Sequence, residues 1–273
     1  MIRIKPPIVF ALLVAVSIAV TFFFWWEISF ARRLDDSALD AALQADASPR
    51  KVQHGIVEIT ERYREGRPGM DRWAERLVGV SRRDERALRG AAAWAMQFAV
   101  ADPAVDARLR ELVTSDGDTT VRRNAACSLS LAKDASDALP VLRSMLEPFT
   151  VVTPAPGTVE SVAAVGRRPR DAETVGRLRG PGGERIEVVT DVSGRVVEVA
   201  AREGDTVAAG ARFVVLAPDA DHVLAAAKAL GLAGDAGDVE RIRTLLAPSA
   251  AMPPEVVEQA RRAIEAIEAR ARR

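Results

Sequence analysis

Apolar and polar positions fall into three regimes along the chain. Residues 8–26, IVFALLVAVSIAVTFFFWW, run apolar for 19 positions, with only Ser17 and Thr21 polar. At about 1.5 Å per residue, a helix over this run reaches roughly 28 Å, close to the ~30 Å hydrocarbon thickness of a bilayer. Pro6 and Pro7 precede it, where a missing N–H costs little, and Phe22–Trp26 supply the aromatics an interface favours. The pattern predicts an N-terminal transmembrane helix. A cleaved signal peptide fits less well, because the run exceeds a usual signal core and no small-x-small site follows. Arg3 and Lys5 lie before the run, Arg32 and Arg33 after it. That basic bias is slight, but a short N-terminal tail usually stays inside. The expectation is a single-pass bacterial membrane protein: cytoplasmic tail and anchor over 1–30, with the bulk of the chain extracytoplasmic (periplasmic).

The second regime has the helical period. LRGAAAWAM (88–96), VRRNAACSL (121–129), HVLAAAKAL (222–230) and VVEQARRAI (256–264) each place apolar residues at i, i+4 and i+8 with alanines between. One face of each can therefore pack closely on a neighbouring helix. The first three are followed by a second amphipathic stretch: VDARLRELV, ALPVLRSML and VERIRTLLA. Asp118, Asp137 and Asp238 stand where N-caps are wanted. From Met96 to Leu129 is 33 residues and from Leu230 to Ile264 is 34, but Leu129 to Leu230 is 101. One repeat less leaves 68 extra residues. A period in the low thirties built from helix pairs predicts an α-solenoid, interrupted once.

These units resemble HEAT repeats of the short, bilin-lyase-like kind. The family's Val-Arg-x-x-Ala core matches Val121-Arg122 with Ala125, and Leu88-Arg89 with Ala92 more loosely. The resemblance implies that Arg89 and Arg122 tie adjacent repeats together. The third and fourth copies depart from it, with Val223 and Val257 at that place. Residues 37–83 are expected to supply one or two degenerate helices capping the stack. The solenoid is thus assigned 31–149 and 219–273, with an insertion over 150–218.

The third regime is that insertion. It holds 9 of the 18 glycines and short valine-rich alternating runs, the signature of small β-hairpins. It also repeats internally. GTVESVAAVGRRPRDAETV (157–175) matches GRVVEVAAREGDTVAAGARFV (194–214), aligning Gly157 with Gly194, Val159 with Val196, Val162 with Val199 and Gly166 with Gly204. Gly204-Asp205 marks one turn and Gly210 closes the next. This stretch resembles a biotinyl/lipoyl-type domain, the barrel-sandwich hybrid also found in periplasmic adaptor (membrane-fusion) proteins. In the first half Pro169 replaces the usual valine and Ala172 the usual glycine. The resemblance implies a flattened barrel whose halves are joined by a turn that carries, in carrier domains, one modified lysine. Here that turn is Gly180–Arg185, and no lysine occurs from 134 to 227. Arg185 cannot substitute, because its guanidinium stays protonated. The module is placed between helical stretches 137–147 and 220–233, read as the two helices of one repeat.

Composition narrows the chemistry. The 38 basic and 38 acidic residues cancel, which argues against a nucleic-acid binder. Only Lys5, Lys51, Lys133 and Lys228 are lysine. One cysteine, Cys127, excludes an intrachain disulfide and any cysteine-cluster metal site. Asp116 and Asp118 hint at a calcium loop but lack the closing glutamate. Neither His54 nor His222 has a second ligand at metal spacing. Trp94 is expected to pack inward, by its spacing from Leu88 and Phe98. No cofactor, metal or catalytic residue is expected. The expected function is a non-enzymatic, membrane-anchored scaffold or adaptor binding other envelope or membrane proteins through solenoid and barrel, and the membrane through 8–26. The alternative is an accessory subunit of a membrane transport or respiratory complex. A lipoyl/biotin-type carrier or a bilin-lyase-like enzyme fits less well.

Overall fold

In the computed structural model, residues 15–22, 33–247 and 252–272 are described. The chain divides at Arg67/Pro68 into two compact units.

In the first unit, helix α1 (Asp36–Ala42) is capped by Asp35 and packs on α2 (Pro49–Arg64). Arg62, almost wholly buried, donates from Nε to Glu58 at 2.8 Å and from Nη1 to Asp36 at 2.6 Å, so its charge is paired on both sides.

The membrane expectation requires correction. Residues 15–22 are helical. Among the described residues no helix is long and apolar enough to cross a membrane. Residues 8–14 and 23–26 of the apolar run lie outside the described residues. The single-pass anchor and the periplasmic placement derived from it are not supported.

The second unit opens with α3 (Ala74–Val80) and continues through α4 (Arg86–Ala95), α5 (Pro103–Ser115), α6 (Thr119–Leu129) and α7 (Leu139–Ser144). After a β-rich insertion come α8 (Ala220–Ala233), α9 (Ala236–Arg243) and α10 (Pro254–Ala271). Four of these helix starts are set by side-chain oxygens. Asp102, Asp118, Asp219 and Asp235 cap α5, α6, α8 and α9, and Asp238 completes a capping box with Asp235. Of the expected caps, Asp118 serves as one, Asp238 is the third residue of its helix, and Asp137 lies in a short 3-10 turn.

The helices stack through their small residues. Ser128 Oγ and Asn124 Nδ2 on α6 donate to the carbonyls of Ala93 and Gly90 on α4, at 2.7 and 3.0 Å. On the other side, a Cβ at Gly231 of α8 would come within 3.1 Å of Ala263 on α10. Arg270 then closes α8 by donating to the carbonyls of Gly231 and Gly234. An ion pair recurs between successive second helices. Arg110 on α5 bonds Asp137 at 2.7 Å, 27 residues away, and Arg143 on α7 bonds Asp238 at 2.6 Å, 95 residues away. The difference is 68, the length inserted into the repeat.

The insertion contains seven strands: β1 (Phe149–Val152), β2 (Gly157–Val162), β3 (Thr174–Arg179), β4 (Arg185–Val189), β5 (Gly194–Val199), β6 (Thr206–Val207) and β7 (Arg212–Pro218). They form two antiparallel sheets, ordered β1-β7-β5 and β4-β3-β2-β6, so the expected closed barrel does not form. Closure needs an unbroken hydrogen-bonded ladder around the axis. Here β6 is two residues long, and the matching position beside β5 is Pro169, which has no N–H to give. An apolar core joins the sheets instead, built from Val151, Val159, Val175, Leu178, Val188, Val196, Phe213 and Leu216 with their neighbours.

The internal repeat is visible bond by bond. Gly204 N donates to Val159 O, and Asp205 O accepts from Val159 N, both at 2.9 Å. In the other half Gly166 N donates to Val196 O, and Arg167 O accepts from Val196 N, both at 2.8 Å. Each half's glycine turn is thus fastened to the other half's strand. Both turn glycines are left-handed, at φ +92° for Gly166 and +89° for Gly204. The strand bulges also match, at Glu160 in β2 and Val197 in β5. Gly157 and Gly194 sit where a Cβ would meet the carbonyl oxygens of Arg179 and Ala217, at 2.7 and 2.5 Å.

Ala172 stands where the second half has Gly210, and both are left-handed, φ +59° and +75°. Alanine pays about 1–2 kcal/mol for that conformation. Glycine would recover part of it, against a larger unfolded-state entropy. Ala172→Gly is therefore expected to raise unfolding free energy by about 0.5–1 kcal/mol, read from the urea midpoint at unchanged slope.

Candidate functional site: a notch in the helix stack

Strands β1 and β7 are paired, Phe149 opposite Leu216, so the chain enters and leaves the insertion on adjacent strands. That allows α7 and α8 to pack together across 68 inserted residues. The adjacent seam is looser. Helix α4 lies closely along α6, and α8 along α10, whereas α6 and α8 touch only sparsely.

At the N-terminal ends of these helices the β-rich insertion covers the seam. Arg86 of α4 bonds Asp118 at 3.0 Å and Asp171 of the insertion at 3.3 Å. Thr120 Oγ1 donates to Asp191 O at 3.1 Å. Arg123 of α6 is 5 % exposed and lies 5.8 Å from the Phe149 ring centroid. Its Nη1 is 3.4 Å from His222 Nδ1, while its Nε has no hydrogen-bond partner. Burial, then the Arg123 charge, holds the His222 imidazole below its usual pKa, so the neutral ring accepts from the guanidinium. His222 is a junction residue.

At the C-terminal ends the seam is open. Trp94 of α4, Leu131 just beyond α6 and Leu232 of α8 are 41 %, 46 % and 48 % exposed. Together with Gln97, Cys127, Ser130, Ala225, Lys228 and Ala229 they line one notch. Its cavity volume is about 60 Å³, far below the ~300–1,000 Å³ of a usual small-molecule site. The contribution of α8 is one stripe, Ala225, Lys228, Ala229 and Leu232, at i, i+3, i+4 and i+7. Inward packing of Trp94 is thus overturned. Its helix neighbours Leu88, Ala92 and Ala95 point to the core and are fully buried, and the indole projects into the notch.

Cys127 is half-buried in the notch wall, and burial pushes its thiol up to about 12, against a smaller opposing pull from Arg123. The thiolate is the reactive form. Native protein at pH 8 should therefore react with a thiol-specific reagent at least tenfold more slowly than urea-denatured protein.

The other residues singled out from sequence serve the framework. Arg89 donates to both carboxylate oxygens of Asp116, at 2.8 and 3.2 Å, linking α4 to the turn before α6. Burial alone would raise the Asp116 pKa, but the Arg89 bond and the Asp118 N–H hold it below the usual range. Arg122 stays local, donating to Asp116 O and Thr119 Oγ1. The candidate calcium aspartates are thereby taken up by Arg89 and by helix capping. No group of three His, Cys, Asp or Glu residues able to hold a metal occurs among the described residues. Asp205 accepts from Arg202 N at 2.7 Å and shapes the turn at Gly204, and Gly210 N donates to Thr153 O. In the Gly180–Arg185 turn, Gly183 takes φ +86° and Arg185 lies 3.6 Å from Glu160. Nothing in the sequence marks Leu131, Leu232 and Lys228 as surface-forming. An apolar residue at a helix end reads as core unless the gap beside it is known.

No protein-family model matches this chain, and no curated protein matches it in sequence.

Proposed function

We propose that the protein is a non-enzymatic scaffold of HEAT-like helix pairs that binds a partner protein at the notch between α4, α6 and α8. The observation that carries this reading is the exposure of Trp94, Leu131 and Leu232 side by side, where the stack is loosest. Three large apolar groups held in water cost free energy that a partner's apolar surface would recover, and tryptophan is among the residues most enriched at binding hot spots. The interlocked β halves act as a rigid insert that holds the N-terminal side of the seam shut and leaves its other end open. Site-specific photo-crosslinking in cells tests the reading. A crosslinker at Gln97, in the notch wall, should give discrete protein adducts that vanish when Trp94 and Leu232 are both serine. A crosslinker at Arg202, on a β turn, should not depend on those residues. Adducts from Gln97 that survive the double substitution would reject the notch as the binding surface.

A further inference from the structure

The notch has a chemistry of its own that specifies the kind of partner. Its walls carry one charged group, the Lys228 ammonium, and no carboxylate. Among the described residues no ion pair forms at Lys228, or at Lys133 two positions beyond Leu131. Four arginines of the stack are matched by carboxylates within the chain: Arg86 and Arg89 by Asp118 and Asp116, Arg110 by Asp106 and Asp137, Arg143 by Asp235 and Asp238. An unmatched cation one helical turn from Leu232, facing Trp94 and Leu131, leaves a positive point beside an apolar cleft.

We propose that this site takes an amphipathic helical segment of a partner protein, carrying a bulky apolar anchor with an Asp or Glu about one turn away. The proposal rests on the docking reading above and adds the partner's chemistry to it. The anchor fills the gap between the indole, Leu131 and Leu232, whose volume of about 60 Å³ is the scale of a side chain and far below that of a nucleotide site. The carboxylate meets Lys228, whose flexible stem reaches a range of positions. Helix-in-groove recognition uses this combination, with apolar anchors at i and i+3 or i+4 and charges at the rim. As the anchor displaces water, the Lys228–carboxylate contact strengthens with the falling local dielectric.

The test selects binders from a random 16-residue peptide library displayed on phage, using the full chain as bait, with parallel selections on Trp94→Ser and Lys228→Glu. Both positions are exposed, and thermal unfolding of each variant should match the wild type. Wild-type selection should enrich peptides with paired bulky apolar residues and an Asp or Glu within four positions. Lys228→Glu should weaken the synthetic winners at least tenfold, and its own selection should turn towards Lys and Arg. Winners that need Trp94 yet show no acidic bias, or that bind Lys228→Glu equally, would overturn the acidic-partner assignment and leave the docking reading standing. A library that yields nothing dependent on Trp94 would overturn both.

Discussion

Phe213→Ala is expected to cost about 3–5 kcal/mol of unfolding free energy, the largest loss from any single truncation in the β-rich insertion. Phe213 is fully buried on β7 and is the largest of the fully buried side chains among the described residues. It faces Gly176 of β3, where an added Cβ would lie 2.5 Å from its ring, so the aromatic fills space that the opposite sheet has vacated. No neighbour can collapse into the hole, because Gly176 has no side chain and Ser161 O stands 2.6 Å from the same point. Denaturant unfolding followed by amide exchange on β2, β3, β5 and β7 would check this. Protection should fall on all four together, since each half's turn is bonded to the other half's strand. Val165→Ala, at an exposed position in the same insertion, should change stability by less than about 0.5 kcal/mol.

The second large effect compares two aspartates at one repeat position. Asp238 is 1 % exposed and accepts from Arg143 Nε and Nη2, at 2.6 and 3.0 Å, and from Asp235 N. The preceding repeat lacks that burial, because its Asp137 is 44 % exposed against Arg110. Asp238→Ala should cost about 2–3 kcal/mol, because it removes two bonds to Arg143, which then keeps only Asp235, and leaves the Asp235 N–H without its capping-box acceptor. Asp137→Ala should cost under about 1 kcal/mol, as exposed pairs do. Burial on its own would raise the Asp238 pKa, but the Arg143 bonds and the Asp235 N–H bring it below the usual carboxylate value. A depressed folded pKa gives stability that is present above the unfolded value, near 3.9, and is lost as pH falls through the folded one. The Asp238 variant should therefore lose its deficit relative to wild type as the pH is taken below 4, in chemical-denaturation midpoints measured across that range.

Much of this architecture was legible in the chain. The 33-residue spacing of LRGAAAWAM and VRRNAACSL located α4 and α6, and the 101-residue jump sized the insertion before any strand was placed. The glycine alignment carried further, because a left-handed turn and a close strand crossing each admit few residues, so Gly166 matched Gly204 for a physical reason. What failed depended on long-range edges. Pro169 stands out in the sequence as a missing valine, yet its consequence, an unfinished fourth strand and two sheets in place of a barrel, follows only once its neighbour is known to be β5. Hydropathy over 8–26 measures the potential of a run to span a bilayer, whereas no helix among the described residues is long and apolar enough to cross one. The notch was illegible for a similar reason. Helical periodicity places Trp94 and Leu232 on faces of their own helices, and whether those faces meet a neighbour depends on how far α6 stands from α8.

The most direct test of the docking surface is the paired measurement of stability and binding on Trp94→Ser. If Trp94 belongs to a binding surface, the variant's melting temperature will match that of the wild type, and its affinity for a peptide selected on the wild type will fall at least ~30-fold, a hot-spot loss of about 2 kcal/mol. A fall in melting temperature of several degrees with peptide affinity unchanged would make Trp94 a packing residue and contradict the account.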